Sequence, residues 1–185
     1  MHSGEESYER FLKGDRTGMQ ELVEMYRDGL ILFCGSFVGN IFDAEDITED
    51  VFVELVVKKP RFNRKSSFKT WLYGIARHKA LNAVKKLSRA EILRRNEYSE
   101  TPDNQESLEN QVIRDERKAA VHRALQEINY EYRQVLHLSF FEEFSNDEIA
   151  SIMKKSKRQI ENLLYRSKLS LKIKLEKEGF NYEEL

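Results

Sequence analysis

The chain has 185 residues, with 31 Lys and Arg against 32 Asp and Glu and a formal net charge of −1. That length allows one compact domain or two small ones, and a charged fraction of 34% exceeds the ~25% of ordinary domains, which suits small helical units with large solvated faces. The lone Cys34 excludes an intrachain disulfide, and the longest apolar run, "LILFCGSFVGNIF", is too short for the ~20 residues of a membrane span.

In chain order, "MHSGEESYER" is acidic and polar, unlike a secretory signal, so a soluble cytoplasmic protein is expected. Only two prolines and eight glycines interrupt the chain, and helical patterns fill residues 5–87. One covers "TGMQELVEMYRDGLILFCGSFVG", where Cys34 reads as a buried core thiol. A second covers "DAEDITEDVFVELVVKK", with Ile47, Val51 and Leu55 at four-residue spacing and Asp43 as the expected N-cap. Pro60 stops that helix, and "PRFNRKSS" follows as a basic loop.

The next helix, "FKTWLYGIARHKALNAVKK", lies in a stretch with no Asp or Glu between Glu54 and Glu91. At ~100° per residue, Phe68, Leu72, Ile75, Ala76, Ala83 and Leu87 share an apolar face. Trp71, His78, Asn82 and Lys85 share a flank, with Arg77 elsewhere on the polar side. Aromatics stack on unpaired bases, amides read base edges and cations hold phosphates, so this flank and the loop before it suit single-stranded nucleic acid. Trp71 as a half-buried edge of the core remains an equal alternative at this point.

Residues 88–110 are polar, contain Pro102 and lose their periodicity after Leu93, which reads as a linker. Helical patterns resume at about residue 111. "FSNDEIASIMKKSKRQIENLLYRSKLSLKIKL" holds two capping boxes, Ser145 with Glu148 and Ser156 with Gln159. Ile149, Ile152 and Met153 give the first helix an apolar face; Ile160, Leu164, Ser167 and Leu171 line one face of the second. Lys154, Lys155, Lys157, Arg158, Arg166, Lys168, Lys172 and Lys174 meet only Glu161 as an acid. This is a helix-turn-helix pattern with a basic second helix, suited to a DNA major groove; a plain helical hairpin with a solvated basic face is the alternative. The expected fold is all-α: an N-terminal helical domain over 1–87, a linker over 88–110, a helix-turn-helix domain over 111–178 and a tail over 179–185.

The chain resembles the extracytoplasmic-function sigma factors of bacterial RNA polymerase. "DAEDITEDVFVEL" is similar to their polymerase-binding helix, "FKTWLYGIARHKALNAVKK" to their helix that melts and reads the −10 element, and "EYRQVLHLSFFEEFSNDEIASIMKKSKRQIENLLYRSKLSL" to their −35-reading domain. The resemblance implies polymerase-core contacts at Asp46, Glu49, Asp50 and Glu54. It implies contacts to the −10 strand at Arg61, Arg64, Lys65, Lys69, Trp71, Arg77, His78, Asn82 and Lys85. It implies −35 contacts at Ser156, Lys157, Arg158, Gln159, Asn162, Arg166 and Lys168. Polymerase core, promoter DNA and an anti-sigma protein, often membrane-bound in the family, are the implied partners; no cofactor, metal or small-molecule substrate is implied. The sequence departs from the family pattern at Glu143, where Gly is usual, and at Lys154 and Lys155, which replace a common Gly-apolar pair.

Two other classes compete. A stand-alone helix-turn-helix regulator explains the C-terminal pattern but leaves "DAEDITEDVFVEL" and the aromatic-basic flank without a role. An enzyme finds no support in HExxH, P-loop, glycine-rich nucleotide or CxxC motifs, and the four histidines are scattered.

Overall fold

Short polar residues set where each helix begins. The computed structural model describes residues 3–97, 116–177 and 179, with side chains for 3–89, 121, 123–177 and 179. Helix α1 (Gly4–Leu12) starts at Ser3, whose N–H donates to the Glu6 carboxylate at 2.8 Å while its hydroxyl accepts from the Glu6 N–H. Helix α2 (Thr17–Val38) ends at Gly39, which takes the left-handed conformation at φ +77. Helix α3 (Ile41–Lys58) starts at Asn40, whose side chain accepts from the Asp43 N–H at 2.8 Å. The expected cap, Asp43, is instead the third helical residue. Asn40 already sits in extended backbone at φ −134 and ψ 153, so it closes the end first, and Asp43 supplies the first-turn acid that the helix dipole favours. Lys59, at φ +44, ends α3 ahead of Pro60.

Helix α4 (Phe68–Glu97) runs thirty residues and continues past Leu87, where the composition changes. Helix α2 packs against α1, α3 and α4. Leu22, Leu30 and Phe33 of α2, Val51 and Leu55 of α3 and Leu72, Tyr73, Ala76 and Ala80 of α4 form the core, each 1% exposed or less. Cys34 lies in the same core, where burial pushes its thiol up to about 12. The expected apolar face of α4 is buried at Phe68, Leu72 and Ala76, half-buried at Ile75 and Ala83, and exposed at Leu87. The buried face is widened by Tyr73 and Ala80 and ends there, because the helix outruns the elements packed against it. A methyl group at Gly18 would stand 2.2 Å from the Ser7 carbonyl oxygen, so α1 and α2 meet backbone to backbone.

The second unit is built from α5 (Glu116–Glu127), α6 (Tyr130–Leu136), a π-helical turn (His137–Phe141), α7 (Asn146–Met153) and α8 (Lys157–Lys177). Both expected capping boxes are present. The Ser145 N–H donates to Glu148 at 3.0 Å, and the Ser156 N–H to Gln159 at 2.8 Å. Lys154 turns the chain between α7 and α8 at φ +54. Ile149, Ile152, Met153, Ile160, Val135 and Leu138 are buried as α6 and α7 pack on α8. The chain thus divides into two units, residues 1–105 and 106–185, and the described residues are helix, turn and loop with no strand.

Candidate polymerase and nucleic-acid interfaces

Helical spacing splits α3 into two faces. Ala44, Ile47, Val51 and Leu55 are buried. On the opposite side Asp46, Glu49 and Asp50 are exposed, and none makes an ion pair or hydrogen bond among the described residues. Phe42, Val53 and Val57 continue this face at 61%, 54% and 74% exposure. These three escaped the sequence reading; their signal was apolar residues set off the four-residue core spacing. Glu54 stands apart from the other acids. It is mostly buried between α3 and α4, 3.0 Å from Lys79 Nζ and 3.3 Å from Lys58 Nζ, and the Lys79 ammonium first, then Lys58, holds its carboxyl below the usual range.

The basic loop between α3 and α4 is folded onto α1 and α4. Tyr8 donates its hydroxyl to the Pro60 carbonyl at 2.8 Å. Phe62 packs on Phe68 and Trp71, with ring centroids 5.5 and 5.3 Å apart. Trp71 also lies 5.6 Å from Tyr8, so its ring is half-buried in an aromatic cluster. Arg61 and Lys65 are exposed and without ion pairs among the described residues, whereas Arg64 is engaged by Glu5 and Glu9 of α1. A cleft of about 460 Å³ runs between this loop and α1, walled by Tyr8, Leu12 and Phe62 with Glu9, Arg61 and Asn63 at its polar edge. Farther along, Lys69 lies over the Tyr73 ring at 5.8 Å and Arg77 is half-buried. His78, Asn82 and Lys85 are exposed, with the Asn82 amide 3.5 Å from the His78 ring one turn away.

In the second unit, Ser156 at the cap of α8 and Lys157, Arg158, Gln159, Asn162, Arg166 and Lys168 on α8 are all exposed, opposite or beside the buried Ile160, Leu164 and Ser167. Ser156 and Gln159 are occupied with each other as the cap. Lys157 reaches back to Asp147 of α7 at 2.8 Å, and Lys155 to Glu131 of α6 at 3.3 Å; these pairs brace the turn. Lys168 lies over the Phe140 ring at 5.1 Å. Arg158, Asn162 and Arg166 remain without partners among the described residues. Tyr165, 72% exposed, sits on the same face as Arg158 and Asn162 and was missed because only polar residues were sought there. Helix α7 starts with Asp147 and Glu148, as the dipole favours, while the first turn of α8 has no acid and carries Lys157 and Arg158.

These surfaces define a class: a protein, helical throughout its described residues, with a helix that exposes an acidic-apolar face and a helix-turn-helix unit whose second helix presents its cations. The Sigma-70 region 2 family matches residues 22–90, and the Sigma-70 region 4 family matches residues 118–171. The ECF RNA polymerase sigma factor SigW of Bacillus subtilis is 25% identical over 171 residues, covering 88% of this chain and 91% of that one. The RNA polymerase sigma-H factor of Pseudomonas aeruginosa is 28% identical over 168 residues, covering 86% and 87%. In fold, the sigma factor RpoE of Bartonella quintana, solved in complex with the anti-sigma factor NepR, is similar with a TM-score of 0.64 at 20% identity over 85% of this chain and 96% of that one. The chain belongs to the extracytoplasmic-function sigma factors. It binds RNA polymerase core and directs it to promoters; the region 2 match gives a role to the segments that a stand-alone regulator leaves idle.

Proposed function

We propose that Asp46, Glu49 and Asp50 dock on polymerase core, together with Phe42, Val53 and Val57. The basic loop and the Asn82 flank of α4 hold the unpaired −10 strand. Arg158, Asn162, Tyr165 and Arg166 meet the −35 duplex. One observation carries the α3 and α8 parts of this assignment: Asp46, Glu49, Asp50, Phe42, Val53 and Val57 on α3 and Arg158, Asn162, Tyr165 and Arg166 on α8 are exposed on helices whose opposite faces are buried, so these residues are not spent on the fold. Charge favours the same division, acids toward a protein partner and cations toward phosphate.

The mechanism is binding alone. Unstacking a base costs a few kcal/mol, and stacking plus phosphate contacts return ~1–3 kcal/mol per base, so strand opening needs no nucleotide hydrolysis by this chain. The chemistry of RNA synthesis belongs to the polymerase, and no residue here is given a catalytic role. The site of action is the cytoplasm, where polymerase and promoter meet. An anti-sigma protein that covers the exposed acidic-apolar face of α3 would compete with core for it and hold the chain inactive.

Run-off transcription with core polymerase on a pool of genomic fragments tests the function and reveals the promoters. Within it, reversing Asp46, Glu49 and Asp50 to Lys together lowers core affinity by at least tenfold and leaves the helical circular dichroism signal intact. Unchanged core affinity in that triple variant would remove the docking assignment.

A further inference from the structure

Helix α1 lies outside the segment matched to Sigma-70 region 2, which begins at residue 22. Yet it touches the basic loop at three points. Tyr8 donates to the Pro60 carbonyl, Lys59 Nζ stands 5.4 Å over the Phe11 ring, and Glu5 and Glu9, one turn apart, both accept from the Arg64 guanidinium. The loop needs such support. Lys59 and Arg64 hold φ values of +44 and +57, a region that residues with side chains enter only when their surroundings compel them. The two carboxylates hold the Arg64 side chain at that turn, and the tilted contact of Phe62 with Trp71 joins the loop to α4.

We infer that α1 is a splint for strand opening. Glu5 and Glu9 are positioning residues that fix the shape of the basic loop through Arg64, and Arg64 is a tether rather than a phosphate contact. Arg61 and Lys65, exposed and without ion pairs among the described residues, then face the strand in a set geometry. This inference rests on the reading of the loop as a strand-holding surface.

Trp71, the chain's sole tryptophan, gives a readout independent of transcription, because its ring contacts both Tyr8 of α1 and Phe62 of the loop. Full-length protein is compared by acrylamide quenching of Trp71, by core affinity, by −35 duplex affinity and by permanganate reactivity of −10 thymines in the polymerase complex. Glu5→Gln with Glu9→Gln should increase quenching and lower thymine reactivity about three- to tenfold, the range that two exposed ion pairs can hold, with core and −35 affinity unchanged. Arg64→Glu should do the same. Adding Glu9→Arg to Arg64→Glu restores one guanidinium between two carboxylates at the native local charge, and should recover both quenching and reactivity.

Recovery of quenching without recovery of opening would make Arg64 a phosphate contact and overturn the splint. Enhanced strand capture by the Glu5→Gln, Glu9→Gln variant would make α1 a mask and overturn it equally. Unchanged quenching in that variant would show that the carboxylates hold nothing. Failure of the underlying reading looks different: Arg61→Ala and Lys65→Ala would then open promoters normally, although the splint variants still shift Trp71. With the reading intact, those two variants lose opening while Trp71 quenching stays native.

Discussion

The two basic surfaces hold their charges in opposite ways. Along α8, Arg158, Asn162 and Arg166 stand clear of the fold, and the residues on the opposite face, Ile160 and Leu164, do the packing. In the loop and α4 the same residue types are worked into the structure. Arg64 is tied to α1, Lys69 lies over Tyr73, Lys79 reaches Glu54, and Trp71 is part of an aromatic cluster. A duplex offers a regular groove, so a rigid helix with free side chains can meet it. An unpaired strand has no fixed shape, so in the proposed assignment the loop and α4 supply one, and several of their basic and aromatic residues also hold the fold together.

That contrast can be broken most strongly at Trp71. Trp71→Ala removes contacts with Tyr8, Phe62 and Phe68 and should destabilise the N-terminal unit by about 2–4 kcal/mol in urea unfolding, along with losing promoter opening. A loss well under 1 kcal/mol would place Trp71 with the free residues of α8. The complementary substitution, Arg158→Ala, should cost about 1–3 kcal/mol in −35 duplex affinity, measured by fluorescence anisotropy. Its thermal stability should be unchanged or slightly raised, since a cation leaves the positive end of the helix dipole. A fall in stability together with affinity would erase the difference between the surfaces.

The turn ahead of α8 allows a smaller test. Lys154 sits at φ +54 and Glu143 at φ +57, the two places where the family pattern favours glycine. Lys154→Gly and Glu143→Gly should each stabilise the second unit by about 0.5–1 kcal/mol in thermal unfolding, by relieving a left-handed backbone. The smallest effect is expected at Glu54. Its folded carboxyl is held below the ordinary value of 4.5, so its pairing with Lys79 is fully present above that pH and is lost as pH falls through the lower folded value. Glu54→Gln should cost the N-terminal unit about 0.5 kcal/mol at neutral pH, flatten its acid unfolding curve and leave core affinity intact. A loss of core affinity instead would return Glu54 to the docking acids.

Much of the fold was legible because its signals are local. The Ser145–Glu148 and Ser156–Gln159 boxes need only four residues each, and the spacing of Ile47, Val51 and Leu55 already shows the buried face of α3. Asp43 misled because Asn40, also a good cap, stood three residues earlier, and backbone conformation decides between them. The partners of Arg64 were out of reach for another reason: Glu5 and Glu9 precede it by 59 and 55 residues, and only the packing of α1 brings them together. Charge type marked the loop and α4 as a basic segment; which of its charges are already taken could not be read from a linear pattern.

The close approach at Gly18 ties these observations to a single missing atom. Because α1 lies against α2 with no room for a methyl group there, the whole set of contacts between α1 and the loop is conditional on a residue that touches neither nucleic acid nor polymerase in the present assignment. Mutational tolerance should therefore be low at a site that no map of binding residues would mark. A search for inactive variants would find it by loss of function first and by chemistry only afterwards.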